Sequence, residues 1–567
     1  MRKDLSGLPP LISPLMFSLP KFSLPSAYIS ALQFWGLLTV LILLAISTRF
    51  WALESPREVV FDEYHFFRFV ENYENGEYFF DIHPPLGKLM LWAGARIGNF
   101  AEVPRSDEVG AQWSIGTAYH KDLDVFWVRF LPAFFGVLLI PILFLLLFFA
   151  TRSPLIAFTG GILATFETSL LTESQYVLMD STLIFFTVVS LLFLLLFYQS
   201  QTVWKKWLYW TLTAFSCAMA FSIKWTGLSA IGLAGIVLLI ELFSSAGVKS
   251  FWKRLQLKIE QFGDEPLPKK ETKPDSSNTK NGGAIHEGVI NRAPTNPFLI
   301  FFGRIVLFWG IVGAIYIAVF ALHFSFLPKS GPGDAFHTPA FQAHLEGNKY
   351  AGTMEPENFW QMFWEANKTM YERNKSITTE HPYSSKWYQW PMGEKPIFYW
   401  NKDISVNQHE PKAISWLGLG ELFQKEPYGS PESTNKRFEQ KIFLFGNPVV
   451  WFSGSIAVIF GFLWGLWGSP KQKEERQFTL FLVLAYIANL LPFALVTRPA
   501  FLYHYLNALV ISLLILAMVL SGMRPKAFQK GVIGFLIIAS IGSFIYLSPL
   551  AYGSPMQPQE FTTRIYW

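Results

Sequence analysis

Residues 31–53 read ALQFWGLLTVLILLAISTRFWAL, and residues 59–73 read VVFDEYHFFRFVENY. The first stretch is long and apolar enough to cross the ~30 Å hydrocarbon core of a bilayer as a helix. The second carries, just beyond it, two adjacent carboxylates, Asp62 and Glu63. Carboxylates at a membrane surface are costly to desolvate, and the charge of one raises the pKa of the other. Such a pair is a candidate general base near neutral pH, with a solvated acidic loop as the plain alternative. The chain around it is 51% hydrophobic and only 15% charged, against about 25% charged in an average soluble domain. A net charge of +5 is small and dispersed and does not point to nucleic acid. The single cysteine, Cys217, lies in an apolar run, so no intramolecular disulfide is possible.

Runs of about 20 apolar residues recur near 31–53, 129–150, 155–173, 180–199, 207–224, 226–243, 298–326, 445–467, 477–496, 500–520 and 530–549. The expected fold class is therefore an all-α polytopic membrane protein with about eleven transmembrane helices. Arg2, Lys3 and Lys21, then Arg152, Lys205 and Lys206, the stretch Lys249 to Arg292, Lys471, Lys473 and Arg476, and Arg524, Lys526 and Lys530 all fall on one side. Positive charge marks the cytoplasmic side, which puts the N-terminus inside and the C-terminus outside. The first span follows basic residues without a small-residue cleavage site and reads as uncleaved.

The expected organisation is a cytoplasmic segment 1–30, then an N-terminal transmembrane module 31–243 that includes an outer loop 54–128. A cytoplasmic linker 244–297 follows, polar and expected to be largely disordered. A span at 298–326 leads to an outer segment 327–444, a four-helix module 445–549 and an outer tail 550–567. The outer segment is dense in Trp, Tyr and Pro and is expected to be ordered on the membrane surface. Within it Phe359, Met362, Phe363 and Met370 share a helical face, a spacing that suits an interfacial amphipathic helix. PLGKLMLWAGARIGNF, residues 85–100, is a second candidate for such a helix.

Six motifs follow one another along the chain: FDEYHF at 61, FFDIHPPLGK at 79, WVRFLPAFFG at 127, QYVLMDSTLIFF at 175, HPYSSKWYQWP at 381 and RPAFLYHYLNAL at 498. Together they resemble the protein O-mannosyltransferase family, membrane enzymes of the GT-C glycosyltransferase class. The bacterial type is the closer likeness, because the outer segment leaves no room for the extra β-trefoil domain of the eukaryotic enzymes. The resemblance implies a GT-C fold with the active site on outer-face loops, in a bacterial inner membrane. It implies inverting transfer of mannose from a polyprenyl-phosphate carrier to Ser or Thr hydroxyls of exported proteins, met at the secretion translocon. It implies no metal and no cofactor beyond that lipid-linked donor. Nucleotide sugars are absent outside the cytoplasm, so a donor held in the bilayer by its prenyl tail suits this topology.

The resemblance places the family's essential acidic pair at Asp62 and Glu63, with Asp62 as the base and Glu63 orienting the acceptor or holding the pair's proton; the two roles are interchangeable at this stage. Arg129 and Arg498 stand at outer span edges, where an arginine usually has an anionic partner, and are candidate phosphate ligands. Headgroup snorkelling is the bland alternative. Lys224 is a third candidate. Tyr503 and His504 bind the phosphate, line the prenyl groove, or simply pack. His83 and Lys88 share the outer loop with the acidic pair; His83 contacts donor or acceptor, or is structural at its Pro turn. Asp180 caps a helix or pairs with an arginine, and with Glu167 and Glu173 makes that mouth acidic. His381, Trp387 and Trp390 are candidates for sugar stacking or for covering an acceptor groove. Asn367 and Asn374 are formal glycosylation acceptors, and Asp122 and Asp124 form a chance DLD. The competing reading is a related GT-C transferase moving another lipid-linked sugar to a protein or glycolipid. A secondary transporter is disfavoured, since the ionisable residues gather at one face instead of at the midplane.

Overall fold

The computed structural model describes residues 31–100, 113–244, 296–379, 381–405 and 437–565. The amino-terminal segment with Arg2, Lys3 and Lys21 and the expected linker, with its basic stretch from Lys249 to Arg292, lie outside the described residues.

In chain order the helices are α1 (Ala31–Phe50), α2 (Glu63–Asn75), α3 (Leu86–Ile97), α4 (Val125–Thr151), α5 (Pro154–Thr165), α6 (Thr168–Gln175), α7 (Asp180–Gln199), α8 (Val203–Ile223), α9 (Leu228–Ser244) and α10 (Pro297–Phe326). After them come α11 (Phe359–Ser376), strands β1 (Ile397–Ser405) and β2 (Arg437–Leu444), and helices α12 (Pro448–Trp467), α13 (Lys473–Leu490), α14 (Leu506–Gly522), α15 (Lys526–Tyr552) and α16 (Pro558–Ile565). Nine helical stretches among the described residues have the length and composition to cross a membrane, and α5 with α6, bent by 57°, makes a tenth. The eleventh expected span is α8, which has the length at 21 residues but carries Lys205 and Lys206 in its first turn. The chain is a multi-pass membrane protein. Helices α1, α4, α5, α7, α8 and α10 pack in one group and α12, α13 and α14 in another, with α14 also touching α4, α5 and α7.

The α5–α6 break exposes backbone groups where no water can satisfy them, so the protein must do so. Arg49, buried at the end of α1, donates to the carbonyls of Thr165 (2.5 Å) and Ala164 (3.0 Å). Glu167 accepts from Leu170 N at 2.7 Å and Ser169 Oγ at 2.5 Å, and its other oxygen accepts from Asn447 N at 2.9 Å and Trp451 Nε1 at 2.8 Å. A cation thus closes one half-helix and an anion opens the other, each at the end that the helix dipole favours. Glu167 is therefore a helix cap and does not contribute an acidic mouth.

Two surface expectations are revised. The face of α11 carrying Met362, Phe363 and Met370 is buried against α10 and the loops around Tyr78 and Phe341, not against lipid. Helix α3 likewise packs its apolar face on α4. Gly87, at its start, sits so close to Met179 that an added Cβ would lie 2.4 Å from the sulfur. Outside the helices, β1 and β2 pair antiparallel from Ile397↔Leu444 to Ser405↔Arg437, with a bulge at Tyr399.

Glu167→Ala would leave three buried N–H donors without an acceptor, at roughly 1–3 kcal/mol each. We expect the melting temperature of the detergent-solubilised protein to fall by many degrees, and Glu167→Gln to recover part of the loss; an unchanged melting curve for the alanine variant would show that the break is held otherwise.

Candidate active site

Helix α2 begins at Glu63, and that start separates the acidic pair. Successive side chains on a helix diverge by about 100°, so Glu63 turns into the bundle while Asp62, at the cap position, stays at a cavity wall. Phe61 just before it has φ 47°, a left-handed conformation that costs a residue with a Cβ roughly 1–2 kcal/mol. Its ring lies flat on Tyr399 at 4.0 Å, and its N–H donates to the Tyr399 carbonyl at 3.0 Å. The β1 bulge therefore fixes the kink that aims Asp62.

Glu63 is fully buried and saturated. Oε1 accepts from Arg129 Nε (2.9 Å) and Val177 N (2.9 Å). Oε2 accepts from Arg129 Nη2 (2.9 Å), Tyr119 OH (2.6 Å) and Val60 N (2.8 Å). Arg129, also fully buried, spends its remaining donors on the carbonyls of Leu53, Pro56 and Glu58 and on Tyr119 OH. Neither residue lines the cavity. This corrects two expectations: Arg129 has no donor left for a lipid phosphate, and Glu63 shares neither a site nor a proton with Asp62.

The cavity measures about 1170 Å³. Its polar end is walled by Asp62, Asp81, His83, Asp180, Lys224 and Arg498; its apolar end runs between α9 (Leu228, Leu233, Ile236) and the segment that follows α13 (Pro492, Phe493, Val496). Among the described residues the Asp62 carboxylate has neither a cap hydrogen bond nor an ion pair. Burial pushes its pKa up to about 6, with Lys224 opposing and Asp180 and Asp81 adding to the rise. The expected elevation is present, but its cause is desolvation and not the adjacent Glu63.

The other acids have lysine partners. Lys88 Nζ donates to Asp81 Oδ2 at 2.5 Å and to the carbonyls of His83 and Pro84 at 2.7 and 3.1 Å. Burial pushes Asp81 up, but Lys88, His83 and the Ile82 N–H more than offset it and leave it below the usual carboxylate range. Lys88 is buried behind the large cavity and does not face a substrate there. His83 does face it, and burial, helped by Lys224, Lys88 and Arg498, holds its imidazole neutral far below the ordinary value. Asp180 pairs with Lys224 at 2.6 Å, so its partner is a lysine and not one of the arginines, and the helix cap position belongs to Met179. Lys224 Nζ also stands 5.3 Å from the centre of the Tyr503 ring.

Arg498 faces the cavity with one hydrogen bond, from Nη1 to Asn374 Oδ1 at 2.8 Å, and no carboxylate partner among the described residues. Burial lowers its pKa, with Tyr503 and Asp81 opposing. Tyr503, His504 and His381 line the same space. Trp390 does not: it is wholly buried, donates to Ser385 Oγ at 2.9 Å and lies parallel to the His504 ring at 6.0 Å. Trp387 packs on the core outside the cavity. Neither tryptophan is placed to stack on a sugar.

Asp81, Glu173 and Asn374 are the wall and support residues that sequence reasoning did not single out as site residues. Glu173 is buried on the wall and accepts from Tyr399 OH at 2.6 Å. Asn374 donates to the carbonyls of Ile82 (2.7 Å) and Met370 (3.0 Å) while holding Arg498. Asn367 accepts from Tyr316 OH at 2.6 Å and donates to Phe363 O at 2.8 Å. Both amides are thus committed to packing, which is at odds with their reading as glycosylation acceptors. Asp124 caps α4, accepting from Trp127 N at 3.3 Å.

Residues 39–327 match the family model described as dolichyl-phosphate-mannose-protein mannosyltransferase, and residues 359–567 match the C-terminal four TMM region of protein-O-mannosyltransferase. Protein O-mannosyltransferase 1 of Drosophila melanogaster is 33% identical over 308 residues, 54% of this chain and 30% of that protein. Protein O-mannosyl-transferase 2 of Danio rerio is 29% identical over 403 residues, 70% of this chain and 45% of that protein. The chain thus spans 30% to 45% of the length of these two relatives. A chain of the S. cerevisiae protein O-mannosyltransferase Pmt1-Pmt2 complex bound to the sugar donor superposes with a TM-score of 0.73 at 17% identity, covering 95% of this chain and 93% of that one, and has the same fold.

Arg129→Ala would strand the Glu63 charge in the interior, at a cost of about 3–5 kcal/mol. Loss of folded protein on size-exclusion chromatography, or a much lower melting temperature, is the expected result; wild-type melting would show the pair to be dispensable. Asp62→Asn should instead melt at or above the wild type at pH 7. The folded pKa of about 6 exceeds the ~3.9 of an unfolded Asp, so ionisation costs stability as pH rises through that window, and Asn does not titrate.

Proposed function

Because the chain belongs to the protein O-mannosyltransferase family, we propose that it transfers mannose from a polyprenyl-phosphate carrier to Ser or Thr hydroxyls of exported proteins. Asp62 carries this reading: an unpaired carboxylate, with its pKa raised to about 6, on the wall of a cavity that is polar at one end and apolar at the other. The volume exceeds the ~300–1,000 Å³ of ordinary ligand pockets and suits a lipid-linked sugar together with a peptide side chain. The apolar end between α9 and α13 accepts the first prenyl units, and the polar end receives phosphate and sugar.

Ionised Asp62 accepts the proton of the acceptor hydroxyl as its oxygen attacks the anomeric carbon. The bond from that carbon to the phosphate oxygen breaks on the opposite face, which inverts the centre. Negative charge then gathers on the phosphate, and Arg498, with no anionic partner of its own, meets it as a charge-assisted donor. Lys224, already bonded to Asp180, adds its field. Neutral His83 is suited to hydrogen-bond the sugar or the acceptor. No cofactor beyond the donor enters this scheme.

In this reading the cavity opens at the outer face of a bacterial inner membrane, with the N-terminus cytoplasmic and acceptor chains reaching the site as they leave the secretion translocon; the positive charge of the loops on the opposite side supports the orientation. The family model that matches residues 39–327 carries a dolichyl-phosphate-mannose donor in its description, and the bacterial setting rests on the motif likeness alone.

With polyprenyl-phosphate mannose and a Ser/Thr peptide, wild-type membranes should transfer mannose and Asp62→Asn should lose the activity by several orders of magnitude. The wild-type kcat/KM should rise with pH through about 6 as Asp62 ionises. Equal transfer by both proteins would remove Asp62 as the base, and transfer of only some other lipid-linked sugar by the wild type would reassign the donor. Arg498→Ala should raise the donor KM about ten- to a hundredfold, the equivalent of one charge-assisted hydrogen bond, and leave the peptide KM unchanged; an unaltered donor KM would rule out its phosphate contact.

A further inference from the structure

Helix α11 buries one face and leaves an aromatic flank bare. Met362, Phe363, Ala366 and Met370 are buried, whereas Trp360, Trp364 and Tyr371 are 54%, 68% and 61% exposed. At ~100° per residue the three bare rings fall within about 40° of one another. On their far side the helix presents Gln361, Lys368 and Glu372 to solvent. The order around the helix is therefore protein, aromatic, charged.

The depth of α11 in the bundle says what covers the aromatic flank. Arg304 of α10 marks one end of the bundle, where it and Lys206 of α8 both pair with Glu241 of α9. A helix rises 1.5 Å per residue, so Tyr316 lies roughly 18 Å and Phe324 roughly 30 Å along α10 from that charged edge. The hydrocarbon core is itself about 30 Å thick. Phe359 packs against Phe324 at 6.1 Å, and Phe363 packs against Phe320 at 5.1 Å and Tyr316 at 6.0 Å. Helix α11 thus lies along the outer half of α10, at the level where Trp and Tyr concentrate at membrane interfaces. The exposed apolar surface of α10, including Leu322 and Phe326, continues at the same level.

We propose that the Trp360–Trp364–Tyr371 flank of α11 is a lipid-docking surface seated in the outer-leaflet interface, with Lys368 reaching up to the headgroups. The last turn of the same helix enters the cavity through Arg373 and Ser376, and Asn374 grips Arg498. Seating α11 in lipid therefore fixes the height of Arg498 relative to the bilayer surface, where a lipid phosphate lies. The face that docks is not the Met362–Met370 face which the sequence pattern suggests but the one flanking it.

The test uses the full chain in nanodiscs of phosphatidylcholine and phosphatidylglycerol, with Cys217, which is buried, replaced by alanine. Spin labels are placed singly by Trp360→Cys, Trp364→Cys, Tyr371→Cys and, as the water-facing reference, Glu372→Cys. We expect the ratio of oxygen to nickel-chelate collision at the first three to exceed that at the fourth by severalfold. Equal nickel access at the flank and the reference would place the flank in water and overturn the proposal. Spin–spin broadening at the flank, or exclusion of both quenchers, would assign it to a second copy or to another protein and overturn it equally. The measurement needs no sugar transfer, so its outcome is separate from the activity proposed above.

Discussion

The buried ion pair between Glu63 and Arg129 holds the loops on either side of α2 to the membrane bundle. Its hydrogen bonds reach residues 53–60, the turn at Tyr119, the start of α4 and, through Val177, the turn between α6 and α7. A buried pair of this kind is a poor source of net stability, because desolvating two charges offsets much of their attraction. Its value is specificity: any register of these segments that leaves one charge unpaired is strongly disfavoured. With every donor and acceptor used, the pair locks the first turn of α2 and hence the position of Asp62 one residue earlier.

The same constraint operates at the α5–α6 break. A span interrupted inside a membrane must satisfy its own backbone ends, and it does so with Arg49, Glu167 and Asn447, contributed from three separate parts of the chain. The interruption has a use. It brings α6 across the bundle so that Glu173 and the turn leading to Asp180 reach the cavity wall. Fold and cavity thus depend on charges that do not line the cavity.

Much of this was legible in the sequence, and the parts that were not share one cause. Apolar run length located nine helices able to cross a membrane and the bent α5–α6 pair, since a hydrophobic stretch must be about as long as the bilayer is thick; the eleventh expected run is a helix, α8, that carries two lysines in its first turn. The charge pattern gathered Asp62, His83, Asp180, Lys224, Arg498, Tyr503 and His504 at one end, and the structure lines one cavity with them. Direction was hidden. Adjacency suggested that Asp62 and Glu63 act together, whereas a helix start turns them apart. An arginine at a span edge did need an anionic partner, but for Arg129 that partner is Glu63 and not a lipid. Trp390 looked like a stacking ring and is core, because a motif records that a residue matters without recording which way it faces. Asn374 was marked only by a glycosylation pattern, and its grip on Arg498 spans more than a hundred residues of sequence.

The distribution of partners sets Asp62 apart from the acids around it. Asp81 has Lys88, Asp180 has Lys224 and Glu63 has Arg129, each within hydrogen-bonding distance. Asp62 alone among these four acids has no cation of its own, so burial acts on it unopposed by a direct contact and raises its pKa. Across the cavity Arg498 is the converse, a guanidinium held by a neutral amide. An unpaired carboxylate and a guanidinium without an anion in one desolvated space are each costly, and they persist because the saturated pairs around them fix the backbone that carries them. Such a site is stabilised by whatever brings a proton to one and an anion to the other.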